Sequence, residues 1–431
     1  MTISIIGHGY VGLVTACVFA DFGNDVWVIG HTKEKIDRLR KGDPIIYEPG
    51  LGELLQKNIK AKRLHFSVNY DSIAGSEIVF ITVGTPPKEN GEADLSAVFE
   101  VARNIAKNLS DSKKHFTIVS CKSTVPVGTN KKVEAILSKH SSKNAKFAIA
   151  SCPEFLREGT AIHDTINADR VVIGSNSKRA IDVLLKLHES INGKRVITDL
   201  ASAELIKYIS NAMLATKISF ANLVSFFAEK VNADVEDVLD AVGLDKRIGR
   251  IFMNPGVGYG GSCLPKDVMA LINVGKKLNV ESNFLTEIEH INLFAKKNFV
   301  NKILKNSPGK KVAIWGLAFK PNTDDIRFAP SIYIIEELLK EGFSISVYDQ
   351  EASNNIKKIF ADKIRYASSA YECLQGANSL IILTEWNEFK QINLDKVKKM
   401  IKDPVIFDGR NIYDPMTVRK LGFKYYSVGR P

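Results

Sequence analysis

Short β-branched apolar runs alternate along the chain with stretches whose apolar residues recur every three or four positions, the signature of strands separated by helices. The run 3–6 is the first predicted strand, and 13–22 carries helical spacing up to a stop at Gly23. Further buried strands are predicted at 26–29, 77–83, 116–120 and 147–151. Between 199 and 231, Leu205, Ile209, Ala212, Met213, Phe220, Leu223, Val224 and Phe227 recur at helical intervals with no Pro or Gly inside, which predicts one unusually long helix. Its apolar positions spread wider than one stripe and predict burial on two sides. The C-terminal part repeats the opening design, with strand and glycine at 311–320, a helix containing 332–339, and strands at 344–348, 379–384 and 404–408.

With 431 residues the chain has room for two or three domains, taking about 150 residues for each. Hydrophobic residues at 45% and charged residues at 25% exclude collagen-like, low-complexity and disordered classes. The 59 Lys and Arg against 48 Asp and Glu leave a net charge of +11, which favours an anionic partner: nucleic acid, an anionic membrane or a phosphorylated small molecule. No basic stripe with interleaved aromatics is present, so no nucleic-acid partner is expected. No stretch approaches the roughly 18 uninterrupted apolar residues of a membrane span, so no membrane partner is expected. Residues 1–23 are apolar, but no Lys or Arg precedes them and glycines at 7, 9 and 12 interrupt them, which favours a strand and helix over a signal peptide. The five cysteines are widely spaced with no CxxC pair, so neither a disulfide framework nor a metal site is expected, and a reducing cytoplasm is the default location.

The first strand runs directly into Gly7-His8-Gly9-Tyr10-Val11-Gly12 and then a helix. In this order the first glycine permits the turn, the second lets backbone approach a pyrophosphate, and the third allows strand and helix to pack closely. The fold class read from these features is α/β, two Rossmann-like doubly wound domains joined by a long central helix, with boundaries at 1–198, 199–298 and 299–431. At the end of the second strand such folds carry an acid that binds the adenine ribose. Gly30 stands there, and His31, Thr32 and Lys33 supply donors able to meet a 2′-phosphate, so NADP is expected as a cofactor besides NAD, with Asp37 or backbone groups as alternative ribose partners. Ligands of open parallel sheets lie at the carboxyl ends of strands. The loops Val83-Gly84-Thr85-Pro86, Lys122-Ser123-Thr124-Val125 and Cys152-Pro153-Glu154-Phe155-Leu156-Arg157-Glu158 therefore border the cofactor.

On the long helix Lys207 and Asn211 stand four apart and share a face. Beyond it, Phe252-Met253-Asn254-Pro255-Gly256-Val257-Gly258-Tyr259-Gly260-Gly261-Ser262-Cys263-Leu264-Pro265-Lys266-Asp267 packs four glycines ahead of a cysteine. So flexible a segment is costly unless a ligand or a tight backbone approach needs it. Cys263, with Lys266 close by and a helix N-terminus expected after Pro265, suits a thiol of lowered pKa acting as nucleophile. Cys17, Cys121, Cys152 and Cys373 sit on apolar elements and are read as packing residues. In the C-terminal repeat Gly316-Leu317-Ala318-Phe319-Lys320 lacks the second glycine, so it is not expected to hold a dinucleotide in the same way; Lys320 and Arg327 would instead meet another phosphate-bearing ligand.

Taken in order, these segments, together with Tyr47-Glu48-Pro49-Gly50-Leu51, Ser123-Thr124-Val125-Pro126 and Thr323-Asp324-Asp325-Ile326-Arg327, closely resemble the nucleotide-sugar 6-dehydrogenases over essentially the whole chain. Within that group the match is best to members acting on UDP-glucose, through Arg247-Ile248-Gly249, Thr384-Glu385-Trp386-Asn387-Glu388-Phe389 and Asp408-Gly409-Arg410-Asn411-Ile412-Tyr413; members acting on GDP-mannose and a catalytically silent nucleotide-sugar binder are the alternatives. The resemblance implies a four-electron oxidation of a primary alcohol to a carboxylate with two NAD molecules, a UDP-sugar-binding C-terminal domain and a homodimer. Cys263 thiolate would form a thiohemiacetal and then a thioester with C6. Lys207 and Asn211 would cradle the C6 oxygen, Lys207 would take the first proton, and Asp267, with Thr124 and Glu154, would handle the hydrolytic water. By the same resemblance Glu154, Phe155, Leu156, Arg157, Lys207, Phe252, Met253, Asn254, Pro255, Gly256, Gly260 and Lys320 contact substrate. Gly7, Gly9, Tyr10, Val11, Gly12, Gly30, Lys35, Val83, Gly84, Thr85, Thr124, Glu158, Lys266 and Arg327 contact cofactor.

Overall fold

Eight strands form the sheet of the first unit, Met1–Ser210. They are β1 (Thr2–Ile6), β2 (Asp25–Ile29), β3 (Leu64–Ser67), β4 (Ile78–Ile81), β5 (Thr117–Cys121), β6 (Phe147–Ser151), β7 (Asn167–Gly174) and β8 (Asn192–Thr198). A computed structural model describes residues 1–112 and 114–431. The strand order is β3-β2-β1-β4-β5-β6-β7-β8, parallel except where β6 meets β7. Strands covered on both faces read as continuous apolar runs, as in β4, where Ile78, Val79, Phe80 and Ile81 are all buried. Side chains alternate between two cores: Ile3 and Ile5 pack with Leu13, Cys17 and Phe80, while Ile6 joins Val79, Ile81 and Val119 on the other face.

At the end of β1 the close approach foreseen for the third glycine is present. A Cβ on Gly12 would stand 2.1 Å from the Gly7 carbonyl oxygen, so any side chain would push the helix Tyr10–Asp21 off the strand.

The second unit, Asn211–Pro431, holds six parallel strands, β9 (Lys311–Trp315), β10 (Ser344–Tyr348), β11 (Arg365–Tyr366), β12 (Ser379–Ile382), β13 (Val405–Asp408) and β14 (Lys424–Tyr426). Their order, β11-β10-β9-β12-β13-β14, repeats the 3-2-1-4-5-6 arrangement of β1 to β6. The turn after β9 differs in chemistry from the turn after β1. The amides of Leu317 and Ala318 donate to Asp349 Oδ2 at 2.7 and 3.1 Å, and Trp386 Nε1 donates to the same oxygen at 3.1 Å. A carboxylate at the end of β10 thus satisfies the N–H groups that a phosphate would otherwise meet.

The long helix spans Leu200–Val231, beginning in the first unit and continuing into the second. Burial on two sides is not reached within one chain. The buried positions are mostly small or polar, such as Ala203, Ala212, Ala215, Ser219, Ala221, Ser225 and Ala228, whereas Met213, Phe220 and Phe227 are 58%, 49% and 65% exposed. Small residues permit close helix approach, and the large apolar side chains are left on the outer face. Among the described residues no helix is long and apolar enough to cross a membrane.

Candidate active site

In the first unit the loops after β4 and β5 are tied to one another at the carboxyl edge of the sheet. Thr85 Oγ1 donates to the Thr124 carbonyl at 2.9 Å, and Ser123 Oγ donates to the Val83 carbonyl at 2.7 Å. Val83, Thr85 and Thr124 are thereby brought together, as the strand-end argument expected. The helix Tyr10–Asp21 begins at Gly9, which makes no side-chain cap and has open space around it, so the first-turn amides suit a pyrophosphate. These residues fit a dinucleotide.

Glu154 and Lys207 form an ion pair at 2.9 Å with both side chains buried. The other Glu154 oxygen accepts from the Leu156 amide at 2.8 Å, and the Lys207 ammonium lies 5.2 Å from the Phe155 ring centroid. Both carboxylate oxygens being engaged, Glu154 acts on Lys207 as a fixed counter-charge. An ammonium held in this way can serve in an oxyanion cradle, and it can accept a proton once it has become the neutral amine. Arg157 points its guanidinium to Asp164, and Glu158 is half-buried in the same loop.

Three buried residues hold this framework: Glu204, which no sequence signal marks, and Lys122 and Glu48, which stand in the motifs named above without a site role. Glu204 accepts from the Gly128 amide at 2.6 Å and from the Asn130 amide and side-chain nitrogen, each at 2.7 Å, which caps the helix Thr129–His140 and ties the long helix to the Thr124 loop. Burial pushes the Glu204 carboxyl above its usual range while those donors oppose the shift. Lys122 Nζ donates to the Cys152 carbonyl at 3.4 Å, and burial lowers the pKa of its ammonium. Glu48 accepts from the amides of Gly159 and Ala161 at 2.6 and 2.7 Å, closing the loop that carries Phe155 and Arg157.

The second unit holds the cysteine expected from the sequence to be a nucleophile. Cys263 is the N-cap of the helix Leu264–Lys277, which starts before Pro265 rather than after it. It is exposed, whereas the other four cysteines are buried. Burial pushes Cys17, Cys121 and Cys373 up to about 12 and raises Cys152, so those four thiols are inert. One turn on, Asp267 is fully buried and accepts from Asn211 Nδ2 at 2.5 Å and from Lys266 Nζ. Asn211, Cys263, Lys266 and Asp267 are thus gathered in one place, Asn211 being turned toward Asp267 and Lys207 toward Glu154.

The glycine run before Cys263 is packed, and tight backbone approach accounts for it. A Cβ on Gly260 would stand 2.3 Å from the Phe328 carbonyl oxygen, and the Gly261 amide donates to the Arg327 carbonyl at 2.8 Å. Asn292 clamps Tyr259 from both sides, accepting from its amide at 2.8 Å and donating to its carbonyl at 3.3 Å. Arg250, also missed, donates to the Met253 carbonyl and to Asn254 Oδ1, shaping the Phe252 to Gly256 stretch, where Phe252 adopts a strained φ of +67°. Arg327 is paired with Asp325, and Lys320 lies 5.6 Å from the Phe319 ring centroid, so both cations belong to the segment packed on this loop.

Three stretches match domain models of one family, described as the NAD binding domain (1–192), the central domain (201–293) and the UDP binding domain (313–415) of the UDP-glucose/GDP-mannose dehydrogenase family. The chain is 42% identical to UDP-glucose 6-dehydrogenase TuaD of Bacillus subtilis, covering 100% of this chain and 93% of that protein. It is 41% identical to a UDP-glucose 6-dehydrogenase of Rhizobium meliloti, covering 100% of both. Among solved structures, the UDP-glucose dehydrogenase of Pyrobaculum islandicum superposes with a TM-score of 0.92 at 35% identity, over 100% of this chain and 98% of that one.

Proposed function

Because the chain belongs to the UDP-glucose/GDP-mannose dehydrogenase family, we propose that it oxidises the C6 alcohol of UDP-glucose to the carboxylate of UDP-glucuronate. NAD, when bound, supplies the oxidant, one molecule accepting each of the two hydrides that this oxidation releases. The observation that carries the reading is the one exposed cysteine at a helix N-cap, one turn from a buried carboxylate with two nitrogen partners. Cys263 adds as thiolate to the C6 aldehyde, which anchors the aldehyde and leaves a thiohemiacetal able to lose the second hydride; the resulting thioester is hydrolysed. Lys207 offers positive charge to the C6 oxygen, with Glu154 fixing its position. Asp267, oriented by Asn211 and Lys266, holds the hydrolytic water. Lys320 and the Phe252 to Gly256 stretch hold the UDP-sugar, and the fingerprint turn with Val83, Thr85 and Thr124 holds the cofactor.

A spectrophotometric assay of UDP-glucose, GDP-mannose and UDP-N-acetylmannosamine should give two reduced cofactors per UDP-glucose and markedly lower kcat/KM for the other sugars. A better GDP-mannose rate would reassign the sugar, and no reduced cofactor with any of them would leave only a binding protein.

The same proposal takes the active form as a homodimer. Leu205, Ile209, Met213, Phe220 and Phe227 form a largely exposed apolar face on the long helix, and a second copy of the chain would cover it. Sedimentation equilibrium should return twice the chain mass, and Phe227→Glu with Met213→Glu should shift it toward the monomer. A wild-type monomer at micromolar concentration would rule the dimer out.

A further inference from the structure

The residue chemistry beside Gly30 goes further than the choice of NAD. At the end of β2, where an acid would normally accept from the ribose 2′-OH, a Cβ on Gly30 would stand 2.9 Å from Ile36 Cδ1 and 3.3 Å from His8 Cδ2. The imidazole of His8 therefore borders the position where the acidic side chain would start. Its Nε2 is buried and has no hydrogen-bond partner within the chain. The His8 and His31 rings meet edge to face with centroids 5.7 Å apart. Burial, then Lys35 and then His31 hold the His8 pKa below its usual value, which places Lys35 and His31 in its electrostatic neighbourhood. Thr32 caps the helix Lys33–Arg40 without a side-chain hydrogen bond, so the first-turn amides of that helix add to the positive end. The acidic alternative is engaged elsewhere: Asp37, further along the helix, is paired with Arg40 at 2.8 Å. Glu34, in the first turn, is the opposing charge nearest in sequence.

We infer that His8, His31 and Lys35 form a receptor for the 2′-phosphate of NADP, so that this chain accepts NADP as well as NAD. The inference rests on the cofactor site proposed above and names the part of it that sets cofactor choice. An orphaned imidazole nitrogen gains a phosphate oxygen as its partner, Lys35 gains a counter-charge, His31 offers a ring N–H, and no carboxylate at position 30 repels the dianion.

The test is calorimetric titration of the intact chain with adenosine 2′,5′-bisphosphate and with AMP, alongside kcat/KM for UDP-glucose oxidation with NADP and with NAD. The bisphosphate should bind at least tenfold more tightly than AMP, and the NADP to NAD ratio of kcat/KM should lie within an order of magnitude of one. His31 and Lys35 are exposed, so His31→Glu with Lys35→Glu should fold. That variant should lose at least tenfold in both ratios. Equal binding of the two nucleotides to the wild type, or ratios unchanged in the variant, would overturn the inference while NAD-supported oxidation upheld the reaction. Selective bisphosphate binding with no sugar oxidation under either cofactor would uphold this site and overturn the reaction instead.

Discussion

Replacing Cys263 by serine is expected to cut UDP-glucuronate formation by on the order of 10⁴-fold or more, the scale seen when a covalent nucleophile is removed. Serine keeps the size and the N-cap position but presents a hydroxyl that stays protonated at neutral pH, so the anchored adduct forms poorly and the second oxidation stalls. The first oxidation does not need the thiol. A single-turnover experiment should therefore yield close to one reduced cofactor per sugar instead of two. The variant should melt with the wild type, because the side chain is exposed. An undiminished steady-state rate to the carboxylate would remove the covalent mechanism.

Lys207→Met should lower kcat by about 10² to 10³-fold, the usual cost of one oxyanion partner, with a smaller change in KM because the contact strengthens in the transition state. It should also destabilise the protein. Methionine leaves the Glu154 carboxylate buried without its counter-charge, and breaking such a pair costs about 3–5 kcal/mol. The double variant Lys207→Met with Glu154→Gln separates the two effects, since the uncharged amide removes the stranded charge. Its melting temperature should recover most of the loss while kcat stays low. Recovery of kcat together with stability would mean that Lys207 serves folding alone.

Much of the site was legible because its signals are local. Gly7 to Gly12, the strand-end loops and the lone cysteine after a glycine run each declare themselves within a dozen residues, by periodicity and by residues with unusual backbone demands. Glu204, Asn292 and Asp349 were not legible, although they hold the loops that carry the chemistry. Glu204 meets its partners more than 70 residues away, Asn292 meets Tyr259 33 residues away, and Asp349 meets Leu317 32 residues away. A Glu, Asn or Asp in an amphipathic segment looks the same whether it faces water or caps a distant backbone. The glycine run shows the converse: its composition suggests flexibility, and its packing against Arg327, Phe328 and Asn292 makes it a fitted piece of backbone.

By itself the sequence determined the order of strands and helices, the doubled α/β design, the pyrophosphate turn and the family, because each rests on short-range periodicity or on contiguous motifs. Tertiary structure supplied the burial that sets the thiols apart, raising the pKa of Cys17, Cys121, Cys152 and Cys373 and leaving Cys263 exposed at a helix N-cap. It decided that Lys207 pairs with Glu154 and that Asn211 donates to Asp267, although both stand on one helix face in the sequence. It also decided that the large apolar side chains of the long helix point outward. The physical reason is common to all three: burial and pairing are set by the residues that arrive from elsewhere in the chain, and one-dimensional spacing carries no record of them.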